Sequence, residues 1–350
     1  MKAPFALTGL VVLLAACGSS PPAAPASSAA ATASKPAVSA AAPAAAPKPA
    51  ASAAASAKPA ASGAITKMVA GYSVISANQI QLWAPAEGGY FANEGLDVQI
   101  IKAGAGSVGL AALLSGNINV LITSSTSTMN AAVEGAPLVF FGSTMERIVQ
   151  YMMAKKDRSD LNSGKDMKGH KVGMTTPGSY SDVSAHIIAH EAGLEEGKDY
   201  TVVRLNDIPT IQAAVVNGAI DLGMIDSVVT AGSDLKTIAD LSKIGQPLST
   251  IGFATTRDYY QQHPNEFKAF GRAYAATVKR LKSDQAFVNK VLTKYMQIDD
   301  PQKLQALSAE ALPLLDDELT LNAKNLDNAR QYAAYSLPKL QQFDVAKIMP

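Results

Sequence analysis

Ala111-Ala112-Leu113-Leu114-Ser115-Gly116-Asn117-Ile118-Asn119-Val120-Leu121-Ile122-Thr123-Ser124-Ser125 returns 102 residues later as Ala213-Ala214-Val215-Val216-Asn217-Gly218-Ala219-Ile220-Asp221-Leu222-Gly223-Met224-Ile225-Asp226-Ser227. Each copy reads as an amphipathic helix stopped by a glycine, then a short buried strand, then a polar turn. The flanks correspond as well. Tyr90–Leu96 ends a helix at Gly95-Leu96 before a strand Asp97–Ile101, and Ile187–Leu194 ends at Gly193-Leu194 before a strand Tyr200–Leu205. Strands alternating with helices across short turns make an α/β fold, with two lobes and a mostly parallel sheet in each, flanked by helices.

Working outward, the first lobe is expected to end with a strand Leu138–Gly142 and to cross to the second near Gln150–Lys155. A return crossing fits Ser249–Thr255, after which Pro264–Lys282, Asp284–Met296 and Asn322–Tyr335 read as helices packing back on the first lobe. The division is therefore 64–152 with 251–350 as lobe I and 153–250 as lobe II, and two crossings form a hinge that permits closure.

In open α/β sheets, ligands sit beyond the carboxyl ends of the strands, where helix N-termini present free N–H groups. The turns expected there carry small polar residues: Asn78 and Gln79, Gly106 and Ser107, and Ser124, Ser125 and Thr126 in the first lobe. In the second they are Thr176, Gly178, Ser179, Tyr180 and Ser181, then Asn206, then Asp226 and Ser227. Any one of these could simply cap the helix it precedes, a role worth about 1 kcal/mol. Capping does not require the same side of both lobes, so the set reads as ligand-binding. Trp83, the one tryptophan, either walls the cleft or fills the core. Asp226 stands where the first copy has Ser124, and it would favour an amine over a plain anion unless Arg147 or Arg204 neutralises it.

The N-terminus has a different character. Met1-Lys2, the apolar run Phe5–Ala16 and Leu14-Ala15-Ala16-Cys17 read as an export signal. The run falls short of the roughly 20 residues that span a bilayer. Cys17 is the only cysteine, so no disulfide explains it. From Gly18 to Gly63 the chain is almost wholly Ala, Pro and Ser, too poor in apolar bulk for a core, which reads as a solvated tether (18–63). Of 30 Lys and Arg, four (Lys2, Lys35, Lys48, Lys58) precede residue 64, leaving 26 against 29 Asp and Glu. That balance, with no basic run beyond Lys155-Lys156, argues against nucleic acid as a partner.

Catalysis finds little support: no Gly-x-Ser-x-Gly elbow or Walker loop occurs, and no catalytic residue, cofactor or metal is expected. His186 and His190, at i, i+4 on one helix, could hold a metal, but the sequence offers no third ligand.

Tyr90-Phe91-Ala92-Asn93-Glu94-Gly95-Leu96-Asp97-Val98 resembles the YFxxEGLDV signature of periplasmic solute-binding proteins of the nitrate, sulfonate and taurine type, the SsuA, THI5-like and NMT1-like group. Gly104–Val108, Ala111–Gly116, Gly135-Ala136-Pro137, Asp166–Gly173 and Pro177–Asp182 follow in that family's order. The resemblance implies a type II periplasmic-binding fold that closes on a small polar organic solute and delivers it to an ABC transporter permease. It places ligand contacts at Ser124, Ser125, Thr126, Thr176, Gly178–Ser181 and near Asp226. Leu-Ala-Ala-Cys likewise resembles a lipobox, with Cys17 the acylated residue of an exported, lipid-anchored monomer. Two other functions stay open: a ligand-sensing receptor subunit, and an enzyme of pyrimidine or thiamine-precursor synthesis. The enzymes of that group carry a cysteine cluster, and residues 64–350 hold no cysteine.

Overall fold

The computed structural model describes residues 65–225 and 234–350; Cys17, the Ala/Pro/Ser segment, Asp226 and Ser227 lie outside the described residues. All described residues belong to one compact unit. In chain order the first segment is β1 (Thr66–Tyr72), α1 (Ile80–Glu87), α2 (Tyr90–Asn93), β2 (Leu96–Lys102), α3 (Ser107–Leu114), β3 (Val120–Ser124), α4 (Ser125–Val133) and β4 (Leu138–Met145). The second is β5 (Tyr151–Lys155), β6 (Lys171–Met174), α5 (Tyr180–Ala192), β7 (Thr201–Arg204), α6 (Ile208–Val216), β8 (Leu222–Ile225) and β9 (Leu235–Asp240). The third is β10 (Ile251–Thr256), α7 (Arg257–Gln262), α8 (Pro264–Leu281), α9 (Gln285–Met296), α10 (Pro301–Ala311), β11 (Leu315–Thr320) and α11 (Ala323–Ser336).

Two sheets result. One has the order β11-β4-β10-β3-β1-β2 and the other β7-β6-β8-β5-β9. The expectation of mostly parallel sheets is corrected: only β1 with β2 and β3, and β6 with β7 and β8, pair in parallel. The physical reason lies in the crossings. Strands β5 and β10 each arrive from the other sheet through a short connection, without the helical crossover that a parallel partner needs, and so run antiparallel to both neighbours.

The repeat is deeper than the sequence shows. Asn119 exchanges bonds with Val69, its Oδ1 accepting from the Val69 N–H at 2.8 Å, and 102 residues on Asp221 Oδ2 accepts from the Lys171 N–H at 2.9 Å. Tyr72 pairs with Lys102 in one sheet and Met174 with Arg204 in the other, again at the same offset. Gly71 and Gly173 are equivalent too: a Cβ would lie 2.9 Å from Ile118 Cδ1 in one and 2.3 Å from Ile220 Cδ1 in the other. Both helices before the repeated strands stop at a left-handed glycine, Gly116 and Gly218, with φ of 74° and 78°.

Around the first sheet, α8 buries Phe267, Phe270, Ala273, Tyr274, Thr277, Val278 and Leu281, the 3.6-residue stripe that turns a helix toward a core. Phe270 meets Phe91 and Phe253 at ring centroids of 4.8 and 4.9 Å. Each such side chain contributes about 2 kcal/mol on burial. The last helix departs from expectation. Rather than covering the first sheet alone, α11 packs against α4 and α5, with Tyr335 stacked on His190 at 3.8 Å.

Candidate ligand-binding site

The chain crosses between the sheets at 146–150 and 241–250, and the crossings are stitched together. The Glu146 carboxylate accepts from the Ser249 hydroxyl at 2.8 Å and from the Asn325 amide at 2.8 Å, while the Thr250 hydroxyl donates to the Arg147 carbonyl at 2.7 Å. Tyr151–Lys155, read from the sequence as part of the crossing, is already a strand of the second sheet.

Beside the crossings the strand ends of both sheets enclose a cavity of about 40 Å³, space for about two waters. Of the residues expected to bind ligand, Asn78, Gln79, Gly106, Ser124, Ser179, Tyr180 and Ser181 line it. Ser124 and Ser179 also cap their helices, accepting from the Ser127 and Asp182 N–H groups at 3.1 and 3.3 Å, so capping and lining are one position's two duties. Tyr180 ties α5 to the crossing, its hydroxyl accepting from the Val149 N–H at 2.6 Å. Ser73, Thr123, Ser127 and Gln150 line the cavity and are not among the residues expected there, and Thr175, which opens the polar turn before Thr176, lines it as well. Extending the repeat from Thr175 finds Ser73: the Ser73 N–H donates to Gln79 Oε1 at 3.2 Å and, 102 residues on, the Thr175 N–H donates to Ser181 Oγ at 2.9 Å.

Other expected residues are placed elsewhere. Thr126 and Gly178 meet each other: the Thr126 hydroxyl donates to the Gly178 carbonyl at 3.1 Å, joining α4 to the turn before α5. Gly106 abuts Thr176 so closely that a Cβ on Gly106 would stand 2.0 Å from Thr176 Oγ1. The Ser125 hydroxyl donates to the Ser249 carbonyl at 2.6 Å. Ser107 and Asn206 are exposed. Trp83 is fully buried, stacked on Tyr295 at 4.7 Å and edge-on to Tyr72 at 5.3 Å, because the helix that starts at the cleft has by residue 83 run behind β1 under α9. Asp226 and Ser227 fall outside the described residues.

No Lys, Arg, His, Asp or Glu lines this cavity among the described residues. Arg204 is engaged by the Asp182 carboxylate, which also accepts from the Gly178 N–H at 2.8 Å and the Ser336 hydroxyl at 2.5 Å. Arg147 borders a different cavity with Tyr151 and Glu310. At the rim Lys102 Nζ meets Asp207 Oδ2 at 2.7 Å. Burial acts to raise the Asp207 carboxyl, but Lys102 and Thr210 outweigh it and hold the pKa below the ordinary value. Asp182, His186 and Glu196 bring ligand atoms within 4.8 Å of one another. These groups are already paired among themselves and with Arg204, and His190 turns to Tyr335, so the two histidines do not converge.

Two sheets of like topology, joined twice and closed over a polar cavity at their strand ends, define a two-lobed binding fold, the type II periplasmic-binding-protein fold. The alkanesulfonate-binding protein SsuA from Xanthomonas axonopodis pv. citri, solved with MOPS, matches with a TM-score of 0.72 at 17% identity, covering 83% of this chain and 99% of that one. The periplasmic aliphatic sulphonate binding protein SsuA from Escherichia coli matches with a TM-score of 0.66 at 19% identity, covering 81% and 97%. The family model described as NMT1/THI5 like matches residues 76–286, and the chain belongs to that family. A curated relative, 4-amino-5-hydroxymethyl-2-methylpyrimidine phosphate synthase from Schizosaccharomyces pombe, is 27% identical over 209 residues, or 55% of this chain; the chain spans 59% of that relative's length.

Proposed function

We propose that this protein is the extracytoplasmic solute-binding lipoprotein of an ABC importer, capturing a small polar organic solute by closure of its lobes. The observation that carries this reading is the cavity itself, built from both sheets and lined by hydroxyls, amides and apolar groups. The lobe of the first sheet moves against the lobe of the second about the crossings at 146–150 and 241–250, and the contacts Thr126–Gly178 and Lys102–Asp207 are the clasp of the closed form. Cys17 carries the lipid, residues 18–63 are the tether, and a permease receives the solute. The localisation is the outer face of the cell membrane.

A thermal-shift screen of the protein against sulfonates, nitrate, amino acids and pyrimidines tests this. A ligand at 100 times its Kd adds about 2.7 kcal/mol of stability. A flat screen together with turnover of a pyrimidine precursor would sink the binding reading. Replacing Cys17 with Ser should release the protein from membranes, and retention on them would remove the lipid anchor.

One observation favours a second reading, an enzyme of pyrimidine-precursor synthesis: the 27% identity to the fission-yeast synthase. The cleft's described lining offers that chemistry no thiol, imidazole, amine or carboxylate, and so gives binding the stronger support.

A further inference from the structure

Gln150 lies at the end of the first crossing, outside both copies of the repeat, and lines the cavity. Its side chain is 1% exposed, and neither Nε2 nor Oε1 has a hydrogen-bond partner. The neighbouring polar groups differ. Gln79 Oε1 takes the Ser73 N–H, Ser124 Oγ donates to Ser127 Oγ at 2.8 Å, and Thr175 Oγ1 donates to Ser179 Oγ at 2.7 Å. A buried donor and a buried acceptor left open side by side carry a cost that a folded protein ordinarily removes.

We propose that Gln150 determines the specificity of the cleft, reading a neutral group that presents a donor and an acceptor side by side, such as a primary amide or an amino-substituted ring nitrogen. This rests on the binding-protein reading above and names its substrate class. The chemistry discriminates in both directions. A carboxylate, sulfonate or nitrate offers acceptors alone, which would satisfy Nε2 and set an anionic oxygen against Oε1. An ammonium offers donors alone and leaves Nε2 open. No cation or carboxylate among the described lining residues offsets either charge. An amide edge answers both atoms with two parallel hydrogen bonds. Because Gln150 belongs to the crossing and its carbonyl accepts from the Leu241 N–H of the return segment at 3.1 Å, the ligand bonds to the hinge as well as to the walls, which ties recognition to closure.

The test is a calorimetric comparison on the full chain and on Gln150→Glu and Gln150→Met. Matched probes, sized to the cavity, are formamide and acetamide against formate, acetate and nitrate. The expected result is that a neutral probe binds the parent chain at least tenfold tighter than its anionic counterpart. Gln150→Glu and Gln150→Met lose that binding at least tenfold, and Gln150→Met, which removes two unpartnered atoms, raises the melting temperature without ligand. A stabilised variant that no longer binds is a result a purely structural glutamine would not produce. If an anion binds best and Gln150→Met keeps it, the inference falls while the binding-protein reading stands. If neither probe class binds the parent chain, the inference falls, and the thermal-shift screen decides the binding reading on its own.

Discussion

The two walls of the cleft rest on one scaffold and differ in what they offer. At equivalent positions the first presents the amide of Gln79 and the second the hydroxyl of Ser181, each fixed by the N–H of the residue that follows the parallel strand. Asn78 likewise corresponds to Tyr180, and Asn119 to Asp221. Backbone-to-side-chain bonds are kept wherever they hold a strand, and the side-chain type varies wherever it faces the cavity or solvent. The scaffold is therefore common property of both halves, while recognition belongs to the residues that break the repeat, and Gln150 breaks it most completely.

The largest effect should come from the paired glycines. A Cβ at Gly71 would stand 2.7 Å from Ala103 Cβ, which cannot swing aside, whereas at Gly173 the nearest atom is the terminal methyl of Ile220, with the next contact at 3.3 Å. Gly71→Ala is expected to destabilise by about 3 kcal/mol and Gly173→Ala by about 1 kcal/mol. Chemical denaturation of both variants decides it, and equal losses would show that the two equivalent positions are packed alike.

An intermediate effect separates Asn119 from Asp221. Removing either leaves a strand N–H without its acceptor, about 1 to 2 kcal/mol, but Asp221 also bonds Arg158 at 2.6 Å. Burial pushes the Asp221 carboxyl up, and the Lys171 N–H and Arg158 more than offset that, so its pKa is lowered. A lowered native pKa means that its stabilisation is present above the ordinary carboxylate range and fades as the pH falls through the native value. Asp221→Ala should therefore cost most near pH 7 and progressively less toward pH 2, while Asn119→Ala costs the same throughout. Parallel pH profiles for the two variants would contradict the distinction.

The smallest effect belongs to the rim. Lys102 and Asp207 are partly exposed, so Lys102→Met should change stability by less than about 1 kcal/mol. Its effect should instead appear as faster ligand release in stopped-flow measurements, and unchanged release would remove the pair from the clasp.

Much of this was legible beforehand for a definite reason. Glycine stops, buried strand runs and capping residues are local signals, and they located the repeat, α8, α9 and the serines at the helix starts. Strand direction depends on the path by which a segment arrives, which is why β5 and β10 were not recognised as antiparallel partners. Contacts between halves are equally invisible in one dimension. Thr126 and Gly178 read as two ligand contacts because nothing in either segment shows that they bond each other. Trp83 carried no periodic signal to separate wall from core. Gln150 had neither a motif nor a repeat partner, and only burial without a bond sets it apart.

The crossing strands also bear on how the chain assembles. In the order β2-β1-β3-β10-β4, the strand that joins β3 to β4 comes from beyond the second half, whereas every strand of β7-β6-β8-β5-β9 lies in the contiguous stretch 151–240. The first sheet stays in two pieces until β10 has been synthesised, more than a hundred residues after β4. Such long-range pairing slows folding and leaves strand edges open in the meantime. The second sheet draws all its strands, β5–β9, from one contiguous stretch and can form first, so the first sheet is the later of the two to close.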